Sequence, residues 1–251
     1  MFKSIIIAFS TYSKIPVPRV EWNERSMKYS LCFFPLVGAV TGVIGYLLLY
    51  AMEFLKFRNI LKAALLAVLP VVINGGIHMD GFLDTVDAKS SYKPMEEKLK
   101  ILKDPNTGAF AVIYGIVYMI AVFGLFSEIE KSEYIFIAVS YIYSRILSGI
   151  SVVTFKKARK DRMAAASANS ADKNVKWIMI FELLLCICGF IYLNPVMGSI
   201  CALIGLLCFL YYRNMAYRLF GGITGDIAGY FLQVCEICIL IAVVVLKGLI
   251  L

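Results

Sequence analysis

Long apolar stretches alternate with short polar, positively charged ones along this chain, and that alternation predicts helices that cross a bilayer. A spanning helix needs about 20 mostly apolar residues. Leu31–Met52 meets this without a single charged residue, Ala109–Ser127 meets it, and Tyr134–Phe155 meets it with Arg145 inside. Ile227–Leu246 forms the last span and carries Glu236. Trp177–Tyr212 is too long for one crossing, and Asn194-Pro195 near its middle predicts a tight hairpin. Ala63–Ile77 is short and holds Pro70, Gly75 and Gly76, so it either borrows residues from Phe57–Lys62 or breaks near the inner surface. The expectation is an all-α, polytopic bundle of about seven transmembrane helices forming a single integral membrane domain over residues 1–251.

Composition agrees with that pattern. Of 251 residues, 61% are hydrophobic and 17% charged, against about 45–50% and 25% in soluble domains. Lys and Arg fall unevenly: five in 1–30, five in 78–108, seven in 154–176 and two in 213–226, against Lys56, Arg58, Lys62 and Lys131 in the intervening connections. By the positive-inside rule the N-terminal segment 1–30 and the loops 78–108, 154–176 and 213–226 are expected in the cytosol, with the chain in the cytoplasmic (inner) membrane. The net charge of +8 then reflects topogenic loops rather than nucleic-acid binding, for which no motif is present. The seven cysteines lie in apolar runs and read as small buried apolar side chains. Residues 1–30 read as an interfacial segment rather than a cleaved signal.

The polar residues that interrupt this pattern carry the chemistry. Gly75-Gly76-Ile77-His78-Met79-Asp80-Gly81-Phe82-Leu83-Asp84-Thr85-Val86-Asp87 places Asp80, Asp84 and Asp87 at i, i+4, i+7. On a helix these carboxylates share one face and repel one another; a divalent cation reverses that repulsion, and Mg²⁺ takes carboxylate, phosphate and water oxygens. His78, the sole histidine, is a candidate base or phosphate ligand, or else an interfacial polar residue. Gly221-Gly222-Ile223-Thr224-Gly225-Asp226 opens the last span: its backbone N–H groups suit an anion, and Thr224 or Asp226 can cap the helix. Arg145 and Glu236 are ionisable at membrane depth; they either pair with each other or serve the site, Arg145 then clamping a phosphate. Lys103-Asp104-Pro105-Asn106-Thr107-Gly108 marks a turn that Asp104 can cap. Acidic clusters flanked by Lys and Arg on one predicted side suit Mg²⁺-assisted transfer of a phosphorus-linked group.

Taken together these motifs resemble one family, cobalamin synthase, the adenosylcobinamide-GDP ribazoletransferases. The resemblance rests on the 75–87 run and, in order, Ser13-Lys14-Ile15-Pro16-Val17-Pro18, Phe34-Pro35-Leu36-Val37-Gly38, Ser144-Arg145, and 221–226 with Gly229 and Glu236. The chain departs from the family pattern at Lys14, usually arginine. The resemblance implies that a ribose hydroxyl of α-ribazole, or of its 5′-phosphate, attacks the cobinamide-side phosphorus of adenosylcobinamide-GDP and GMP leaves. It implies Asp80, Asp84 and Asp87, with Asp226, as metal ligands for Mg²⁺ and His78 or one of the aspartates as base. Arg145, with Lys14 or Arg159, is the implied phosphate clamp, and Asp104, Thr224, Gly225 and Glu236 are further substrate contacts. The lipid bilayer is the other expected partner, and a homo-oligomer is an open alternative to a single working chain. Rival readings are a CDP-alcohol phosphotransferase or prenyltransferase type, and a transporter using Arg145 and Glu236.

Overall fold

The computed structural model describes residues 1–158, 171–172 and 174–250. The described residues form an all-α structure without a strand. In chain order the helices are α1 (Phe2–Tyr12), α2 (Glu24–Met27), a 3-10 turn (Ser30–Phe33), α3 (Phe34–Phe54), α4 (Asn59–Asn74), α5 (Ile77–Ser90) and α6 (Met95–Ile101). There follow α7 (Ala109–Ser127), α8 (Lys131–Thr154), α9 (Val175–Leu193), α10 (Pro195–Phe220) and α11 (Gly225–Ile250). Among the described residues six helices are long and apolar enough to cross a membrane, or seven when the bent pair α4–α5 counts as one. The chain is a multi-pass membrane protein, as its hydropathy predicts.

Local chemistry accounts for the boundaries. Asn194 separates α9 from α10; its side chain accepts from the N–H groups of Val196 (3.0 Å) and Met197 (2.9 Å), and Pro195 opens α10 where a missing N–H costs nothing. This is the predicted hairpin. α8 opens on a capping box between Glu130 and Glu133. α4 does borrow residues upstream, starting at Asn59, and it ends at Gly75.

The bend after α4 is the most consequential turn. Gly75 (φ +62°) and Gly76 (φ +78°) both adopt the left-handed conformation that side chains disfavour. Their N–H groups cap the end of α4, on Val72 and Val71 carbonyls respectively. The chain resumes as α5 at an angle of 94° to α4. The connection 78–108, expected as a loop, is therefore largely helical, in α5 and α6. Likewise residues 213–220 still belong to α10.

Packing divides the helices into interior and peripheral sets. α8 and α11 bury 72% and 61% of their most apolar 18 residues, whereas α7 and α9 bury 17% each and leave apolar side chains outward for lipid. Close packing of α3 on α8 follows from small residues in α3: Gly38 faces Tyr141, Gly42 faces Ala138, and Gly45 faces the Tyr134 hydroxyl. Such small-residue faces let two backbones approach where no hydrophobic effect drives helices together in lipid.

Candidate active site

The site forms where α5 crosses the start of α11. A Cβ on Gly81 would sit 2.6 Å from the Asp226 carbonyl oxygen, and one on Gly229 would sit 3.1 Å from the His78 carbonyl oxygen. Backbone against backbone, the two helices bring His78 and Asp80 beside Asp226. All three line one cavity of about 270 Å³, with Gly225 and Gly229 in the same wall. Asp80 is exposed, and Asp84, one turn further along α5, is half-buried.

His78 is 5% exposed, and its Nε2 has no hydrogen-bond partner among the described residues. Its ring packs 5.9 Å from that of Phe34. Thr224 is buried; its hydroxyl accepts from Ile227 N–H (3.2 Å) and donates to the Asp226 carboxylate (3.3 Å). Thr224 is thus the N-terminal cap of α11, and Asp226 sits in its first turn, where a negative charge is favoured.

The segment before α11 is pinned from the other side. Ile223 N–H donates to the Lys156 carbonyl (2.9 Å), and Ala158 N–H donates back to the Ile223 carbonyl (2.9 Å). The Lys157 ammonium donates to the Phe155 carbonyl (2.8 Å), and burial lowers its pKa to about 8. Residues 156–158, which open the basic connection, are thereby fastened to the turn before α11. Arg159, one of the expected phosphate contacts, lies outside the described residues.

Lys14 is held next to the bend. Its N–H donates to the Ile73 carbonyl (2.8 Å), and its aliphatic stem lies across Gly75, where any Cβ would collide with it. Lys14 and Asp80 line a second, more open groove of about 570 Å³.

Four expected site residues sit elsewhere. Asp87 does share α5 with Asp80 and Asp84, but its carboxylate accepts from Gly108 N–H (2.5 Å) and Ala111 N–H (2.9 Å), at the start of α7. Both oxygens are engaged by a helix end whose first N–H groups need an acceptor, so Asp87 ties α5 to α7 rather than standing with the other acids. Asp104 is exposed and forms a local turn: it accepts from the backbone N–H of Asn106 (2.9 Å) and from its side-chain amide (2.7 Å), which hold its carboxyl below the usual range. It does not cap α7.

Arg145 and Glu236 form the internal pair that was one of the two open readings. Arg145 is 0% exposed, and its Nη1 donates to Glu236 Oε1 (2.8 Å) and to the Tyr141 carbonyl (2.8 Å). Ser144 donates to the same Glu236 oxygen (2.8 Å). The pair occupies only Nη1 of the guanidinium: Arg145 Nε and Nη2 are buried without a hydrogen-bond partner among the described residues. Arg145 still lies near the site, 5.8 Å from the Phe34 ring.

The residues that the sequence reading missed are the apolar walls, among them Tyr12, Val152 and Leu232. Within apolar spans nothing in their identity distinguishes a cavity wall from ordinary core.

A multi-pass helical protein that brings two carboxylates and a histidine into one cavity has the site character of a membrane enzyme. Comparison with known proteins makes the class specific. Residues 4–244 match the family model described as cobalamin-5-phosphate synthase. A protein of Lachnoclostridium phytofermentans named adenosylcobinamide-GDP ribazoletransferase is 47% identical over 98% of this chain and 95% of its own length. Proteins of the same name from Clostridium botulinum (strain Alaska E43) and Acinetobacter baumannii (strain ACICU) are 34% and 29% identical, covering 94% and 91% of this chain and 95% and 90% of theirs. No solved structure matches. The chain belongs to the cobalamin-5-phosphate synthase family.

Proposed function

We propose that this enzyme joins adenosylcobinamide-GDP to α-ribazole or its 5′-phosphate with Mg²⁺ as cofactor, and that it works at the cytosolic face of the cytoplasmic membrane. The observation that carries the reading is the meeting of Asp80, Asp226 and His78, whose Nε2 has no hydrogen-bond partner among the described residues, in one cavity wall. In the reaction a ribose hydroxyl oxygen bonds to the cobinamide-side phosphorus, the phosphorus–oxygen bond to GMP breaks, and the hydroxyl proton passes to a base.

The donor set suits the cation. Asp80 and Asp226, which share the cavity, offer only carboxylate oxygens, the ligands a hard divalent cation prefers, and Asp84 lies one turn further along α5. Among the described residues no group of three or more His, Cys, Asp or Glu side chains is arranged to hold a metal ion. The reading therefore asks for one or two carboxylates, with substrate phosphates and water completing the Mg²⁺ shell. Bound there, Mg²⁺ would neutralise the diphosphate and the charge that builds on departing GMP. The protein's own residues do the rest. His78, or one of the aspartates, is placed to accept the hydroxyl proton. Lys14 offers a cation to the diphosphate beside the bend. The tight α5–α11 crossing fixes Asp80 relative to Asp226, so the acids need no reorganisation during reaction. The Lys and Arg asymmetry of the connections supports the cytosolic placement.

Membranes containing the protein, given adenosylcobinamide-GDP, α-ribazole and Mg²⁺, are expected to release GMP, and excess EDTA is expected to stop release until Mg²⁺ is restored. A transporter would release none, and a CDP-alcohol enzyme would release CMP from its own substrate instead.

A further inference from the structure

Two cavities meet at Ile77 and Asp80, and they differ in chemistry. The smaller, of about 270 Å³, is walled mainly by Tyr12, Leu31, Phe34, Val152 and Leu232, and its acids lie together with His78. The larger, of about 570 Å³, runs along α1 and the α4–α5 bend. In that groove Ser10 and Thr11 already donate to the Ile7 carbonyl and Ser13 to the Phe9 carbonyl. Its remaining polar features are Lys14, Asp80, the buried Asn74, whose Oδ1 lacks a partner among the described residues, and the backbone of Gly75 and Gly76.

Building on the reaction proposed above, we propose that the smaller cavity is the nucleoside subsite and the groove is the diphosphate subsite, with Asp80 standing between them. The physical case is size and polarity. Ligand pockets enclose most of a small molecule in about 300–1,000 Å³. A cavity of about 270 Å³, just under that range, admits the flat bicyclic base of a riboside and excludes a corrin macrocycle. Its walls are aromatic as well as apolar: the Tyr12 and Phe34 rings pack with centroids 4.1 Å apart, and a planar heterocycle gains both area and stacking against such rings. The corrin macrocycle, too large to enter, stays outside, and the diphosphate with its guanosine lies along the groove. The groove offers that group a cation in Lys14, whose stem is fixed over Gly75, and it opens directly onto Asp80. The ribose hydroxyl and the phosphorus it attacks then approach each other from opposite sides of one carboxylate. That arrangement keeps two bulky substrates apart until their reacting ends meet.

The test uses full-length enzyme in membranes and separate KM values for the two substrates. Leu232→Trp on α11 and Val152→Phe on α8 fill the cavity from different walls, so at least one is expected to insert and fold. Each is expected to raise KM for α-ribazole by about tenfold or more, since pocket fit discriminates at that scale, with KM for adenosylcobinamide-GDP unchanged. Lys14→Ala is expected to do the reverse. A free benzimidazole, the probe for the base alone, is expected to compete with α-ribazole and not with the corrinoid. Normal GMP release combined with an unchanged nucleoside KM in folded cavity variants, or with a rise in the corrinoid KM instead, overturns the subsite assignment alone. If the wild type releases no GMP, it is the reaction itself that is overturned. Should neither cavity variant fold, the benzimidazole competition pattern decides between the same outcomes.

Discussion

Replacing Asp80 by alanine is expected to abolish GMP release while the protein still inserts into membranes at wild-type level. Asp80 is singled out by position. It sits in the first turn of α5, directly after the glycine break, and it lines both the apolar cavity and the polar groove. Removing a preorganised group that stabilises transition-state charge costs about 10²–10³ in rate, and Asp80 is asked both to hold the cation and to separate the substrates. Asp80→Asn, which keeps the shape and loses the charge, is expected to be nearly as damaged. Initial rates normalised to protein in the membrane provide the check. An Asp80→Ala enzyme that kept more than a tenth of wild-type activity would remove Asp80 from the reaction.

The largest expected effect on stability is at Arg145. The guanidinium lies fully buried between α8 and α11, bonded to Glu236 at 2.8 Å. Truncating it to alanine strands the Glu236 carboxylate inside the bundle with only the Ser144 hydroxyl for company. Breaking a buried pair on one side costs about 3–5 kcal/mol, whereas replacing both partners by apolar groups of similar volume is often close to neutral. Arg145→Ala is therefore expected to lose several kcal/mol in detergent unfolding. The double variant Arg145→Met/Glu236→Met is expected to recover most of that loss. Its turnover separates two roles for Arg145. As a positioning residue that supports Phe34 and the His78 wall, Arg145 leaves the recovered double variant within about tenfold of wild-type kcat/KM, a loss of roughly 1.4 kcal/mol in transition-state binding. A folded but inactive double variant would mean that Arg145 touches phosphate after all.

These two residues also show what a linear reading can reach. The spans and the Asn194-Pro195 hairpin were legible, because uninterrupted apolar length and a proline-marked turn act locally. The position of the break was legible from Pro70, Gly75 and Gly76, but its 94° angle and the continuation of helix to Ser90 were not. Two left-handed glycines fix a direction only in three dimensions. The acid spacing placed Asp80, Asp84 and Asp87 on one helix, yet it carried no sign that Asp87 would be taken by the N-terminus of α7, more than 20 residues away in sequence. For Arg145 and Glu236 the sequence posed pairing or site as alternatives, and only packing shows that the pair forms. The cavity walls were least legible: Val152 and Leu232 differ from other apolar span residues by nothing except where the helices cross.

The most direct test of the metal reading is Mn²⁺ binding, followed by electron paramagnetic resonance, to the full-length protein in lipid nanodiscs, with and without adenosylcobinamide-GDP. Bound Mn²⁺ that Mg²⁺ displaces, that tightens when the diphosphate substrate is added, and that disappears in Asp80→Asn and Asp226→Asn is the result expected here. Binding that is indifferent to those two substitutions, or no binding even with the substrate present, would contradict it.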